Sequence, residues 1–289
     1  MQTVVILICT SNRPSYLDEL LTALTHEVSS ASCKTLSVVV IDNGTQDVRS
    51  VVEAFRSALP VEYVRLPGSG LVGARNRSLR TGLRHEPDYL VFIDDDEVPQ
   101  PGWLDGLLST MSTSGADFAV GPVNPKFSQT PPSWAPEFFT KSGEDFCTSN
   151  LIIRASVVPR DEGQWFQPRF SATGGEDGDF LRRLANLGAT HAVARSAFVL
   201  ENIPSGRVTA RYLWRRGFRD GVVVAMSRPN NTYGGLCSNI LLALRKIGYG
   251  SNHLVWSIAT PERFYRAVDD LSLGWGIIFG SAGVTSKFY

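Results

Sequence analysis

The chain has 289 residues, 43% of them hydrophobic and 19% charged, which describes a globular protein and not a disordered one. Its 28 Lys and Arg are balanced by 28 Asp and Glu, so no global field favours a nucleic acid, and any charge-driven function must be local. The four cysteines, Cys9, Cys33, Cys147 and Cys237, lie far apart with no C-x-x-C pair and no partnered histidines, which argues against a zinc site and a disulfide framework.

The opening "MQTVVILICTSNRP" lacks a basic n-region and a small-residue cleavage site, so its apolar run is predicted to be a first strand and not a signal peptide. Short apolar runs then alternate with amphipathic helices. "PSYLDELLTALTHEV" precedes "LSVVVID", and "QDVRSVVEAFRSAL" precedes "VEYVRLP". "VGARNRSLRTGLRH" leads to "DYLVFID", and "GWLDGLLSTMS" leads to "ADFAVGPV". This order predicts βαβ units and an α/β fold, a mostly parallel sheet with helices on both faces. From about residue 127 the pattern breaks. "SQTPPSWAPEFF" is predicted to be a long surface loop, "FCTSNLIIR" a strand, "GGEDGDFLRRLANLG" a glycine turn opening a helix, and "THAVARSAFVLE" another strand. From Gly206 the chain reads as helical. The run "LSLGWGIIFGSAGV" is too short to span a membrane, which takes about 20 apolar residues.

Ligands of such sheets bind beyond the carboxyl ends of the strands. The four strand ends read "CTSNRP", "DNG", "PGSG" and "DDDE". The third contains Gly68, Gly70 and Gly73 in the G-x-G-x-x-G spacing of a dinucleotide turn, with Asp94 about 20 residues on. That turn would normally follow the first strand, and one acid would suffice where this chain has Asp94, Asp95, Asp96 and Glu97 in a row. A dinucleotide oxidoreductase is therefore disfavoured. Crowded hard oxygen donors suit Mg2+ or Mn2+, which in turn hold phosphate oxygens. On an extended segment Asp94 and Asp96 share a face and Asp95 points elsewhere.

In this order, "ICTSNRPSYLDELLTAL", "VVVIDNG", "GLVGARNRSL", "FIDDDEVPQPGWL", "VGPVNPKF", "TSNLIIR", "GGEDGDFLRRL" and "ENIPSGRVTARYLWRRGFRDG" cover about residues 4–221. The ordered set resembles family 2 glycosyltransferases of the GT-A fold, and is similar to the bacterial enzymes of succinoglycan-type exopolysaccharide synthesis. The resemblance implies a catalytic domain over residues 1–205, its nucleotide-binding half about 1–125 and its acceptor-side half about 126–205, followed by a helical extension over 206–289. It implies nucleotide contacts from Thr10, Ser11, Arg13, Asp42, Arg75 and Asn76. It also implies a D-x-D, Asp94 and Asp96, that binds the metal and the diphosphate, with Asp95 in the nucleotide set. The catalytic base would be Asp177, with Glu176 positioning the acceptor. Many such enzymes add a third metal ligand after the last strand; here Glu201 stands at about that place, and waters with phosphate are the alternative.

The activity implied is inverting, metal-dependent transfer of a sugar from a nucleotide-diphosphate donor, UDP-linked, to a saccharide or lipid-linked acceptor. The expected location is cytoplasmic, with peripheral contact at the inner face of the cytoplasmic membrane and no nucleic-acid partner. The glycine turn matches the family's "PG-x-x-x-ARN" start of a helix. Arg207, Arg211, Arg215 and Arg219, four apart, form a stripe on one helical face, read either as contacts to phosphate or acceptor or as a solvated face paired with acids. Trp134 and Trp165 are read either as sugar-stacking or as packing residues. Two alternatives are a degenerate carbohydrate-binding scaffold and a sugar nucleotidyltransferase. The second would need a glycine-rich basic loop where "CTSNRP" stands.

Overall fold

The computed structural model describes residues 2–30, 33, 35–227, 233–257 and 260–284. In chain order, strand β1 (Thr3–Thr10) leads to helix α1 (Pro14–Ser30), β2 (Thr35–Asp42) to α2 (Arg49–Ala54), and β3 (Val61–Arg65) to α3 (Gly70–Leu83). Next come β4 (Tyr89–Asp94), β5 (Glu97–Pro99), α4 (Trp103–Ser114), β6 (Phe118–Val120), β7 (Val123–Phe127) and α5 (Ala135–Phe139). They are followed by β8 (Leu151–Arg154), α6 (Glu176–Asn186), β9 (His191–Val193), β10 (Val199–Ile203), α7 (Ala210–Ser227), α8 (Tyr233–Val255) and α9 (Pro261–Ser281).

The larger sheet runs β3-β2-β1-β4-β8-β6-β9. Its first four strands are parallel, β8 runs against both of its neighbours, and β6 and β9 are parallel again. A smaller sheet runs β5-β10-β7. Along β1, Val4, Ile6 and Ile8 enter one core cluster, while Val5 and Leu7 enter another on the opposite face. Both faces are covered, which is why the strand reads as an unbroken apolar run instead of alternating. Helix α1 begins at Pro14 and buries Leu17, Leu20, Leu21 and Leu24, a stripe at helical spacing against the first cluster. The buried carboxylate of Glu27 in α1 accepts the Gly102 and Leu104 amides at 3.0 and 3.2 Å, holding the start of α4.

The chain divides into two compact units. The first is Met1–Lys126, Thr140–Pro168 and Glu176–Asn202; the second is Phe127–Phe139, Arg169–Gly175 and Ile203–Tyr289. The expected loop "SQTPPSWAPEFF" contains α5. Trp134, Ala135 and Phe139 are buried there with Ile203 and Leu213, and Trp134 stacks on Tyr265 at 3.8 Å. Trp165 is 3% exposed, with its indole donating to the Pro159 carbonyl. Both tryptophans are packing residues. The expected strand "THAVARSAFVLE" is two strands split by a turn, β9 in the large sheet and β10 in the small one. In the second unit α9 packs on both α7 and α8. A Cβ on Gly221 of α7 would lie 2.2 Å from the Leu273 carbonyl oxygen, so the approach of these helices requires glycine there.

Asn150 ties the first unit together where β8 begins. It is fully buried at φ 53°, accepts the Trp103 indole N–H at 2.7 Å, and donates to the carbonyls of Pro122 (3.0 Å) and Ala197 (2.7 Å). Asn150→Ala strands the buried Trp103 indole N–H and the Ala197 carbonyl and places alanine in the left-handed region. It is expected to destabilise the protein by about 3 kcal/mol or more, read as a lowered urea midpoint.

Candidate active site

Parallel register brings the strand ends to one edge. Thr10 pairs with Asp42, Asp42 with Arg65, and Cys9 with Asp94. Antiparallel β8 starts beside the end of β4, where Leu151 pairs with Phe92, so Ser149 and Asn150 arrive next to Asp94.

Asp42 is fully buried. Its carboxylate accepts the Gly44 amide (3.0 Å), the Val48 amide (3.2 Å) and the Tyr63 hydroxyl (2.7 Å), and pairs with Arg65 at 3.0 Å. It folds the loop that follows β2. Asn12, at φ 58°, accepts from Thr45 and from the Gln46 amide in that same loop. Gly68 and Gly70 adopt φ of 74° and 69° at the turn into α3, a conformation open to glycine, while Gly73 lies inside the helix. The G-x-G-x-x-G spacing is thus a left-handed turn at a helix start after the third strand.

The acidic run departs from simple alternation. The strand ends at Asp94, and Asp95 and Asp96 lie in a turn before β5. Both point to Arg13, whose Nη1 lies 2.9 Å from Asp95 and 3.0 Å from Asp96. Thr10 donates to Asp95 at 2.8 Å. Ser11 is exposed. Burial and the Asp94 charge, opposed by Arg13, push the Asp96 carboxyl up to about 6. A carboxyl raised on folding weakens the fold as pH climbs from the ordinary aspartate range towards that value. The full charge of Asp96 is present only above it.

Asp94 turns the other way. Its side chain is 38% exposed, it accepts from Ser149 at 3.1 Å, and it lies 3.6 Å from Arg75. Arg75, only 7% exposed, is hydrogen-bonded to Glu176 and lies 3.9 Å from Asp177. Burial opposes its charge, but Glu176, Asp177 and Asp94 outweigh that and hold it protonated. Asp177 accepts the Thr148 amide at 3.3 Å and the Gly178 amide at 2.7 Å, with 22% of its side chain exposed. Glu176 is 1% exposed, and its Oε2 has no hydrogen-bond partner. Asp179 pairs with Arg183, which donates to the Gln164 and Trp165 carbonyls. Asn76 both donates to and accepts from the Phe166 backbone, fixing the same loop to α3.

Sequence reasoning missed Lys141. A two-residue bridge with Val123 delivers it to the edge. Its ammonium pairs with Glu201 at 3.2 Å and donates to Ser149 at 3.2 Å, and Ser149 in turn holds Asp94. Burial disfavours the Lys141 charge, and Glu201 and Glu97 restore it. Glu97 lies opposite Glu201 in the β5–β10 register, accepts the Asp94 amide at 3.0 Å, and has a buried Oε1 with no partner. Burial and then Asp94 push its carboxyl well up. A single lysine in "FFTKSGED" carries no periodic or motif signal that reveals this.

Among the described residues no group of three or more His, Cys, Asp or Glu forms a ready metal cage. The donor chemistry still fits a hard divalent cation. Asp94, Asp95, Asp96, Glu97, Glu176, Asp177 and Glu201 are joined, in the contacts above, to the cations Arg13, Arg75 and Lys141. The elevated Asp96 and the orphaned Glu97 oxygen mark the excess of negative charge. Arg207, Arg211 and Arg215 belong to the second unit. Arg207 lies in a short turn before α7, so the helical stripe begins at Arg211. Arg211 and Arg215 are exposed, and Arg219 pairs with Asp220.

The family model for glycosyl transferase family 2 matches residues 5–168, and the chain belongs to that family. It is similar to succinoglycan biosynthesis protein ExoM of Rhizobium meliloti (strain 1021), 30% identical over 96% of this chain and 92% of that one. Among solved structures it resembles the mannosyltransferase PcManGT from Pyrobaculum calidifontis in complex with GDP-Man and Mn2+. There the TM-score is 0.58 and the identity 15%, over 96% of this chain and 86% of that one. It also resembles S. aureus TarS 1-349 in complex with UDP-GlcNAc, with TM-score 0.55 and 14% identity over 100% and 93%. The fold is GT-A, and the protein is an enzyme, a glycosyltransferase.

Lys141→Met leaves Glu201 and Glu97 facing each other uncompensated. With 27% of the lysine side chain exposed, the expected loss is about 3 kcal/mol at most, read from urea unfolding. Adding Glu201→Gln should recover part of it; strictly additive losses would show that the pair is uncoupled.

Proposed function

We propose that the enzyme is an inverting, metal-dependent transferase. It moves a sugar from a nucleoside-diphosphate donor, UDP-linked, to a saccharide or lipid-linked saccharide acceptor in bacterial exopolysaccharide synthesis. The observation that carries this reading is Arg75, which lies between Asp94 at the end of β4 and Glu176 and Asp177 at the start of α6. A metal and diphosphate end and a base end are thereby neighbours. The similarity to a succinoglycan biosynthesis protein and to folds solved with GDP-Man and UDP-GlcNAc supports the donor and pathway class.

In this mechanism Asp177 accepts the proton of the acceptor hydroxyl. The oxygen attacks the anomeric carbon opposite the diphosphate, the bond from that carbon to the β-phosphate oxygen breaks, and the nucleotide leaves with the electron pair. Glu176, buried and hydrogen-bonded to Arg75, holds that guanidinium beside Asp177 and so helps orient the base. Asp94 would hold Mn2+ or Mg2+ together with Asp96 once Asp96 exchanges its Arg13 partner, and Glu201 would join by exchanging its Lys141 partner. Bound there, the ion supplies neutralisation of charge on the leaving diphosphate. Within the nucleotide set, Ser11, Arg13 and Asp94 are assigned direct contacts. Thr10, Asp42, Asn76 and Asp95 shape the walls through the bonds described above. Arg207, Arg211 and Arg215 are assigned to a phosphate-bearing ligand.

No helix of the described residues is long and apolar enough to cross a membrane. The proposed location is the cytoplasmic side, with peripheral contact at the inner face of the membrane.

Calorimetric titration with UDP is expected to show binding that requires Mn2+ and is abolished by Asp96→Ala. Absence of binding by folded wild type, with or without Mn2+, would overturn the UDP assignment. Asp177→Asn should retain UDP binding while incorporation of labelled sugar into membrane acceptors falls about 10²–10⁴-fold. A variant that transfers at the wild-type rate removes Asp177 as base.

A further inference from the structure

The balanced total charge hides a partition. Residues 1–202 carry 17 Lys and Arg against 24 Asp and Glu, and residues 203–289 carry 11 against 4, so the two parts have formal charges of −7 and +7. No acid occurs between Asp220 and Glu262, the stretch that contains α8. Helix α8 packs one side on α9, through Lys246 to Asp270 (2.8 Å) and the close approach of Gly250 to Leu271. Its opposite side carries exposed apolar residues: Leu241 is 68% exposed, Leu244 57% and Val255 67%, with the polar Ser251 and Asn252 between the last two, and Trp256 at 58% lies just beyond the helix end. Cys237 lies on the same stripe, Ile240 borders it, and Arg245 flanks it. Soluble proteins seldom leave this many large apolar side chains exposed along one side of a helix.

We infer that this face of α8 is an interfacial surface that lies on an anionic lipid monolayer, with Leu241, Leu244 and Val255 entering the acyl boundary and Arg245 meeting acidic headgroups. The chemistry selects lipid over the other occupants. A second copy would bring the same +7 segment against itself, whereas an anionic bilayer complements it. A terminal tryptophan following the exposed Leu254 and Val255 suits an amphipathic boundary, where the ring is apolar and the indole N–H remains wet. The inference rests on the peripheral placement proposed above and gives it a surface. It stands apart from the transfer chemistry.

The test is flotation of the full chain with vesicles of phosphatidylcholine alone and of phosphatidylcholine with phosphatidylglycerol. Wild type is expected to float with the anionic vesicles and not with the neutral ones, and less so as salt rises. The double variant Leu241→Asp/Leu244→Asp should lose about tenfold or more of its vesicle partitioning while keeping wild-type helicity and UDP titration, which separates a lost surface from a lost fold. An environment-sensitive dye on Cys237 should shift to the blue on anionic vesicles. The thiols of Cys9 and Cys147, pushed up to about 12 by burial, compete poorly for the label. Failure of wild type to float, equal flotation of the double variant, or a concentration-dependent dimer that the double variant abolishes would each overturn the inference. A protein that floats without binding UDP would leave this surface standing and remove the donor assignment instead.

Discussion

A buried guanidinium organises the first unit's polar edge. Arg75 is removed from water on the inner face of α3, where a lone charge would be very costly, and the carboxylates of Glu176, Asp177 and Asp94 compensate it. Those partners come from the end of a central strand and from the start of a helix a hundred residues away. Each end of the site is therefore held in place by a charge that needs both. Asp177 gains a further restraint from the Thr148 amide, so its orientation is set by backbone as well as by ion pairing.

The same edge concentrates more carboxylate than folding alone would select. Asp96 is raised by burial and its neighbours, Glu97 is buried with an oxygen unmet, and Lys141 is drawn in between Glu97 and Glu201. Local conflicts of this kind collect at functional sites, where electrostatic readiness for a ligand is kept at the expense of stability. Lys141 moderates the conflict without filling it. With Lys141 in place the edge still offers carboxylate oxygens to a divalent ion of the kind proposed.

The second unit follows a different logic. Its helices approach closely through glycines on α7 and α9, and α8 covers α9 with one side while presenting leucines on the other, with a tryptophan just past its end. Such a face in a segment with a charge of +7 gives an otherwise neutral protein a strongly polar division of labour. Acid gathers where nucleotide and metal chemistry is proposed, and base with apolar surface where lipid is proposed.

The sequence by itself determined the alternating elements of the first half, because strands buried on both faces and stripes such as Leu17–Leu20–Leu21–Leu24 write their period directly into the residues. It also located the acidic strand end, the left-handed glycine turn and the acidic start of α6, since each is a local pattern. Only the tertiary structure decided which groups meet. The grouping of Asp95 with Asp96 on Arg13 follows from the turn that ends β4. The bracketing of Arg75 follows from α3 and α6 contributing to one core cluster, and the arrival of Lys141 follows from a single bridge to Val123. The division of "THAVARSAFVLE" between two sheets and the burial of Trp134 under α9 were likewise unreadable. Such contacts join residues tens to hundreds of positions apart, and a lone lysine or tryptophan carries no local pattern that names its partner.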